Sequence, residues 1–169
     1  VALTAVLVLG ASACSGDADS GSPGDRADAA LEAGLEAHSA GDLETATEEY
    51  NKVLEDDPTN KFAFYNLALI DSANGNDGLA EAKYRLALES DPTYSPALFN
   101  LAILRADDGD PVEAMELYQQ VLEIEPQNAS AWLNLGLLQR ANGQQKLGNE
   151  SVLKAIALDP SLNDPETSK

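Results

Sequence analysis

The stretch Asp91-Pro92-Thr93-Tyr94-Ser95-Pro96-Ala97-Leu98-Phe99-Asn100-Leu101-Ala102 recurs, with small changes, both before and after itself in the chain. Pro58, Pro92, Pro126 and Pro160 stand 34 residues apart, and the same interval relates Gly41, Gly75, Gly109 and Gly143. It also relates Ala46, Ala80, Ala114 and Gly148. A register kept at independent positions over four copies is an internal repeat, and a period of this length is that of stacked helix pairs.

Within one period the apolar spacing shows where the helices lie. Phe64, Leu67 and Ala68, and then Ala80, Tyr84, Ala87 and Leu88, follow the i, i+3/i+4 rule of a single helical face, twice over. Between the two runs lies Asn74-Gly75-Asn76-Asp77-Gly78, a turn composition, with Gly75 where the first helix needs a left-handed C-terminal residue. Each proline then keeps the second helix from continuing.

These residues resemble the tetratricopeptide repeat family. Its 34-residue frame, with proline at position 32, places repeats at 27–60, 61–94, 95–128 and 129–162, about four fifths of the chain. The resemblance implies an all-α, right-handed solenoid of four helix-turn-helix repeats. Small residues at position 8 (Gly34, Ala68, Ala102, Gly136) and position 20 (Ala46, Ala80, Ala114, Gly148) are expected where the helices of a hairpin cross most closely. Position 24 (Tyr50, Tyr84, Tyr118, Val152) fills the wider space beside them. Departures fall at the ends: Ala30 stands where Phe64, Leu98 and Trp132 occupy position 4, and the fourth repeat has Gly148 and Val152 for the usual alanine and aromatic. End repeats have one neighbour only, so such departures are expected there.

In this family the first helices line a concave groove. The positions that match are Leu31, Tyr65, Phe99 and Leu133, and Leu35, Leu69, Ile103 and Leu137, an apolar and partly aromatic strip. Asn66, Asn100 and Asn134, with Glu32 in the first repeat, form a ladder along its edge. In related repeat proteins asparagines at this position hold a ligand's backbone, and an amide carries the donors and the acceptor for that task. The groove residues expected to bind a peptide are thus Leu35, Tyr65, Asn66, Leu69, Phe99, Asn100, Ile103, Leu133, Asn134 and Leu137. Asn-Leu-Gly and Asn-Leu-Ala also serve packing in this family, which is the other reading of the same ladder. The two-carboxylate clamp of chaperone-binding members would need cations where Leu31, Pro96 and Asn100 stand, so that specificity is rejected.

The start of the chain points to an address. Val1 to Ala11 is apolar and small, too short to span a bilayer and of the length of a secretory signal core. The sequence Ala11-Ser12-Ala13-Cys14 that ends it resembles a bacterial lipobox, with Ala11 in place of the usual Leu or Val. This implies a signal peptide over 1–13, in which the usual basic n-region is missing, and lipidation at Cys14. An uncleaved apolar core with an incidental Cys14 is the alternative. Ser15 to Arg26 holds Gly, Ser, Asp and one Pro without a large apolar residue, so 14–26 is expected to be the lipidated cysteine and a flexible tether.

Charge and composition exclude several classes. A formal charge of −19 repels nucleic acid and anionic lipid headgroups, leaving the lipid anchor as the route to a membrane. One cysteine and one histidine supply no zinc cluster, and no cofactor is implied. No nucleophile elbow, phosphate-cradling loop, zincin helix or carboxylate pair argues for an enzyme. His38 reads as a surface residue, and Asp107-Asp108-Gly109-Asp110 as an interhelix turn without the length or terminal Glu of an EF-hand loop. The acids of the first hairpin, Glu48, Glu49, Glu55, Asp56 and Asp57 among them, read as a solvated cap or as steering for a basic partner.

The expectation is therefore a membrane-anchored adaptor of the bacterial cell envelope, facing its extracytoplasmic side and holding a protein or peptide. Lipoproteins of the family in outer-membrane assembly and pilus biogenesis supply the analogy. A cytoplasmic co-chaperone or regulatory scaffold, and a non-catalytic module of an envelope enzyme complex, are the alternatives. The tail over 163–169 is expected to be disordered. With Pro165 in it, it is too short to cap the last helix, Lys146 to Leu158, leaving Val152 and Ile156 exposed with Leu153 or Leu158. That end is expected to form a symmetric homodimer or to dock on the partner.

Overall fold

The computed structural model describes residues 21–162, and among them every regular element is a helix. They are α1 (Pro23–Ser39), α2 (Leu43–Asp56), α3 (Lys61–Ala73), α4 (Asp77–Ser90), α5 (Ser95–Asp107), α6 (Pro111–Ile124), α7 (Ala129–Ala141) and α8 (Gln145–Leu158). Each helix packs chiefly on its neighbours in sequence, first within the pairs α1–α2, α3–α4, α5–α6 and α7–α8, then between pairs. The result is a solenoid of four hairpins. The signal region 1–13, Cys14 and the tail 163–169 lie outside the described residues.

Local chemistry sets the ends of these helices. Gly41, Gly75, Gly109 and Gly143 all have φ between +74° and +82°, the left-handed conformation that ends each first helix and that other residues adopt at a cost. Asp42, Asn60, Asp110 and Asn128 cap the following helices, each accepting a backbone N–H of the first turn. The acid before proline has a similar task. Asp91 Oδ1 accepts from Thr93 N and Oγ1 at 3.0 and 2.8 Å, Asp57 accepts likewise from Thr59, and Asp159 from Ser161. Lys61 also pairs with Asp91, and together with Thr93 it pulls that carboxyl down to about 2. Glu125, one methylene longer, accepts from Asn128 Nδ2 instead.

The tether expected over 14–26 ends sooner. Ser22 caps α1 by accepting from Asp25 N, while the Asp25 carboxylate accepts from Ser22 N, and Pro23 occupies the first helical turn. This Ser-x-x-Asp box with its proline was legible in the sequence, but the want of large apolar residues masked it. Arg26, assigned to the tether, bonds Asp56 of α2, and Ala27 is buried.

The core follows the repeat. Tyr50, Tyr84 and Tyr118 are its largest fully enclosed side chains, flanked by Ala46, Ala68, Ala80, Ala102 and Ala114, all without exposure. One apolar cluster runs from α3 to α7, and a smaller one joins α1, α2 and α3 through Tyr50, Val53, Leu67 and Ile70. A methyl group on Gly34 would lie 2.6 Å from the Tyr50 ring, which explains glycine there. At the last repeat the exposed apolar set differs from expectation. Val152 is 1% exposed because its side chain seats over Gly136, and Ile156 is half-buried, whereas Leu153 is 67% and Leu158 36% exposed.

Candidate functional site

The first helices present one continuous face. Tyr65 and Phe99 point into it from α3 and α5, and both are held by ring contacts. Tyr65 lies tilted against Tyr84 with ring centres 5.9 Å apart and edge-on at 5.3 Å to Tyr94, and Phe99 meets Tyr118 edge-on at 5.4 Å. Phe62, 42% exposed, extends this aromatic row through Tyr94, and Lys61 lies 5.1 Å and 5.2 Å from the two ring centres. Neither Phe62 nor Tyr94 was singled out in the sequence. Their positions fall next to the turn between repeats, so helical periodicity inside one repeat gives no signal for them.

Two concavities divide the expected groove residues. Tyr65, Phe99 and Asn100 line one of about 300 Å³ with Ser130 opposite. Ile103, Asn134 and Leu137 line the other, of about 380 Å³, with Tyr118 and Asp107. Leu35, Asn66, Leu69 and Leu133 line neither; Leu35 stands open on α1 and the rest are half-buried. His38 bonds at 3.3 Å to the Tyr50 hydroxyl and so supports the first hairpin's core. Asp108 ends α5 and Asp110 caps α6, which makes Asp107–Asp110 a turn.

The amide ladder is built differently from a row of free side chains. Asn134 Nδ2 donates to the Tyr118 hydroxyl at 3.1 Å, and Asn100 Nδ2 to both the Tyr65 hydroxyl and Pro96 O at 3.1 Å, while Asn66 Nδ2 donates to Phe62 O at 2.8 Å. Two of these bonds join one repeat to the next. The Asn100 nitrogen is thus fully committed to the scaffold, those of Asn66 and Asn134 keep one N–H each, and the Oδ1 atoms accept no hydrogen bond among the described residues. The ladder offers acceptors, suited to the N–H groups of a bound backbone.

Burial raises all five tyrosine hydroxyls above their ordinary range. Tyr118 is pushed up to about 12, with Asp107 adding to the effect of burial and Asn134 opposing it. At pH 10, where a free tyrosine is about half ionised, the native protein should show well under half the tyrosinate absorbance of the denatured chain. Because folding holds these groups neutral, their contribution to stability is whole below pH 10 and is lost as pH rises towards about 12. Equal titration of native and denatured chain would contradict this packing.

Stacked helix hairpins with a preformed apolar face are the architecture of a protein-interaction repeat. The TPR repeat family model matches residues 105–143, and tetratricopeptide repeat models match 31–95, 83–116 and 129–162, so all four hairpins are reached. The chain is a tetratricopeptide repeat protein and, by that membership, a scaffold for protein partners. These matches indicate no enzyme family.

Solved structures agree on the right-handed solenoid. MamA from Desulfovibrio magneticus RS-1 is 20% identical, with 82% of this chain and 78% of that one covered and a TM-score of 0.73. Pseudomonas aeruginosa PilF is 25% identical over 83% of this chain and 64% of its own, with a TM-score of 0.72. A tetratricopeptide repeat protein from Parabacteroides merdae is 21% identical over 82% and 55%, with a TM-score of 0.72. At such identities the likeness is one of fold. No curated protein sequence matches the chain. Among the described residues, no helix is long and apolar enough to cross a membrane.

Proposed function

We propose that this chain is an adaptor of the bacterial cell envelope, anchored through a lipid on Cys14, that holds an extended segment of a protein partner on its first-helix face. The observation that carries the binding part is the pairing of a rigid aromatic row, Phe62, Tyr65 and Phe99, with a ladder of Asn oxygens left open to accept. Ring contacts and the amide bonds to the scaffold hold the face in place before the ligand arrives, which reduces the ordering cost of binding. The anchoring part rests on the apolar run that ends in Ala13-Cys14. One acyl chain gives only reversible attachment and two give a stable one, as expected of a lipoprotein cysteine.

The test has two arms. Fatty-acid labelling in a bacterial host should tag the chain and fail on Cys14→Ser; labelling of neither form overturns the anchor. In the second arm a photo-crosslinking residue replaces Phe99 or Ile103, with Leu79, 56% exposed on the second helix α4, as the control. The same partner should be captured from both first-helix sites and not from the control. Replacing Asn66, Asn100 and Asn134 together with Ala should then weaken that partner's binding by about tenfold or more. It should also reduce stability by about 2 kcal/mol, since two of the three bonds tie neighbouring repeats. Unchanged affinity in calorimetry would remove the ladder from the binding site.

A further inference from the structure

The second helices carry a cleft that the repeat itself does not call for. Between α4 and α6 the corresponding place is filled by charge: Arg85 pairs with Glu81 and Glu113, each at 2.8 Å, and Arg105 bonds Glu81 at 2.9 Å and is ion-paired with Glu113 at 3.0 Å, with Leu117 buried beside them. One period later these five residues become Gln119, Met115, Leu147, Gln139 and Ser151 in the order Arg85, Glu81, Glu113, Arg105, Leu117. The ion network is lost and the leucine shrinks to serine. An open cleft of about 580 Å³ results between α6 and α8, floored by α7.

Its chemistry is specific. Leu122 and Leu135 are buried in the walls, and Leu147 stands 52% exposed at the edge. Trp132 closes one end, fixed by its Nε1 donating to Pro126 O at 2.9 Å, with Lys154 Nζ 5.5 Å from its ring centre. At the floor Ser151 Oγ donates to Gln139 Oε1 at 2.8 Å, and Gln139 is only 7% exposed. Its Nε2 donates to nothing among the described residues, a nearly buried donor facing the cleft. Glu123 and Glu150 stand exposed on the two rims, one on α6 and one on α8.

We propose that this cleft is a second docking site, on the face opposite the asparagine ladder, for a basic segment of a partner protein that inserts one large apolar side chain. The apolar walls take the side chain, Gln139 Nε2 donates to a carbonyl of the inserted residue's backbone, and the rim carboxylates pair with flanking Lys or Arg. The charge of −19 draws such a segment in and repels an acidic one. The site stands independently of the first-helix face, so the two can hold separate partners or two segments of one.

Trp132 is the sole tryptophan and lies in the wall, so its emission reports occupancy directly. The probes are three blocked tripeptides, acetyl-Lys-Phe-Lys-amide, acetyl-Glu-Phe-Glu-amide and acetyl-Lys-Ala-Lys-amide, titrated into the purified full chain. The first should give a saturating change at least about tenfold tighter than the alanine peptide, from burial of the ring, and the acidic peptide none. Glu123→Gln with Glu150→Gln, both on the exposed rim, should weaken the first peptide by roughly threefold to tenfold. Ser151→Leu, which restores the residue repeat three uses, should refill the cleft and abolish the response. Asn66→Ala, Asn100→Ala and Asn134→Ala should leave it unchanged, which separates this site from the first-helix face. Equal response to all three peptides overturns the proposal, as does none to the first or insensitivity to the rim pair. If Ser151→Leu melts at the native temperature and still binds, the peptide sits elsewhere and the proposal fails. Should that variant not fold, the rim pair and the peptide series decide.

Discussion

Gly148→Ala lowers stability by about 2 kcal/mol, the expected cost of overpacking less the gain in helix propensity, and lowers the melting temperature by roughly 5 °C. The repeat pattern alone argues for the opposite sign. Ala46, Ala80 and Ala114 occupy the same position in the other three repeats, and glycine inside a helix costs propensity, so a return to alanine reads as a stabilising change. Packing decides otherwise. A methyl on Gly148 would lie 2.6 Å from Gly136 O and 2.9 Å from Arg140 N, both backbone atoms of α7. One on Gly136 would lie 2.8 Å from Gly148 O. Neither contact can be relieved by turning a side chain, so α7 and α8 must separate. Their close approach also shelters Arg140, buried and bonded to Asn149 Oδ1 at 2.7 Å. Thermal melts of Gly148→Ala and Gly136→Ala measure the effect, and a higher melting temperature for either would show that the last hairpin is looser than this.

Tyr84→Ala is expected to cost more, about 4 kcal/mol, the usual scale for removing a large buried aromatic. Tyr84 is 1% exposed in the cluster that runs from α3 to α7, and Tyr65 on the first-helix face leans on its ring. A four-repeat stack depends on nearest-neighbour interfaces, so a defect in its middle divides it. The matching change at the end, Tyr50→Ala, empties the smaller cluster of α1, α2 and α3 and should unfold the first hairpin while the others stay folded. Hydrogen exchange resolves the two outcomes: lost protection throughout α3 to α7 for Tyr84→Ala, and in α1 and α2 alone for Tyr50→Ala. Loss of protection over all helices in both variants would mean that the protein folds as one unit.

The 34-residue register by itself determined the four hairpins, the glycine turns, the proline connectors and the enclosed tyrosines. Each depends on what a residue can do within its own helix pair: an unhindered positive φ, a missing N–H, a ring too large for any place but the inter-helix gap. The family resemblance that this register carries assigned Tyr65, Phe99 and the asparagines to the first-helix face. What the tertiary structure decided is how those groups are spent. Asn100 and Asn134 turn their nitrogens to tyrosines that lie 35 and 16 residues away, a choice made across repeat boundaries where spacing carries no information. The start of α1 at Pro23 was decided by Ser22 and Asp25 closing a reciprocal cap, and Arg26 reaching Asp56 then tied that turn to α2. The cleft between α6 and α8 has the same origin. Ser151, Gln139 and Leu147 look like ordinary variation in a repeat until three helices bring them to one place, and only there does the loss of a leucine and of four charges become a cavity.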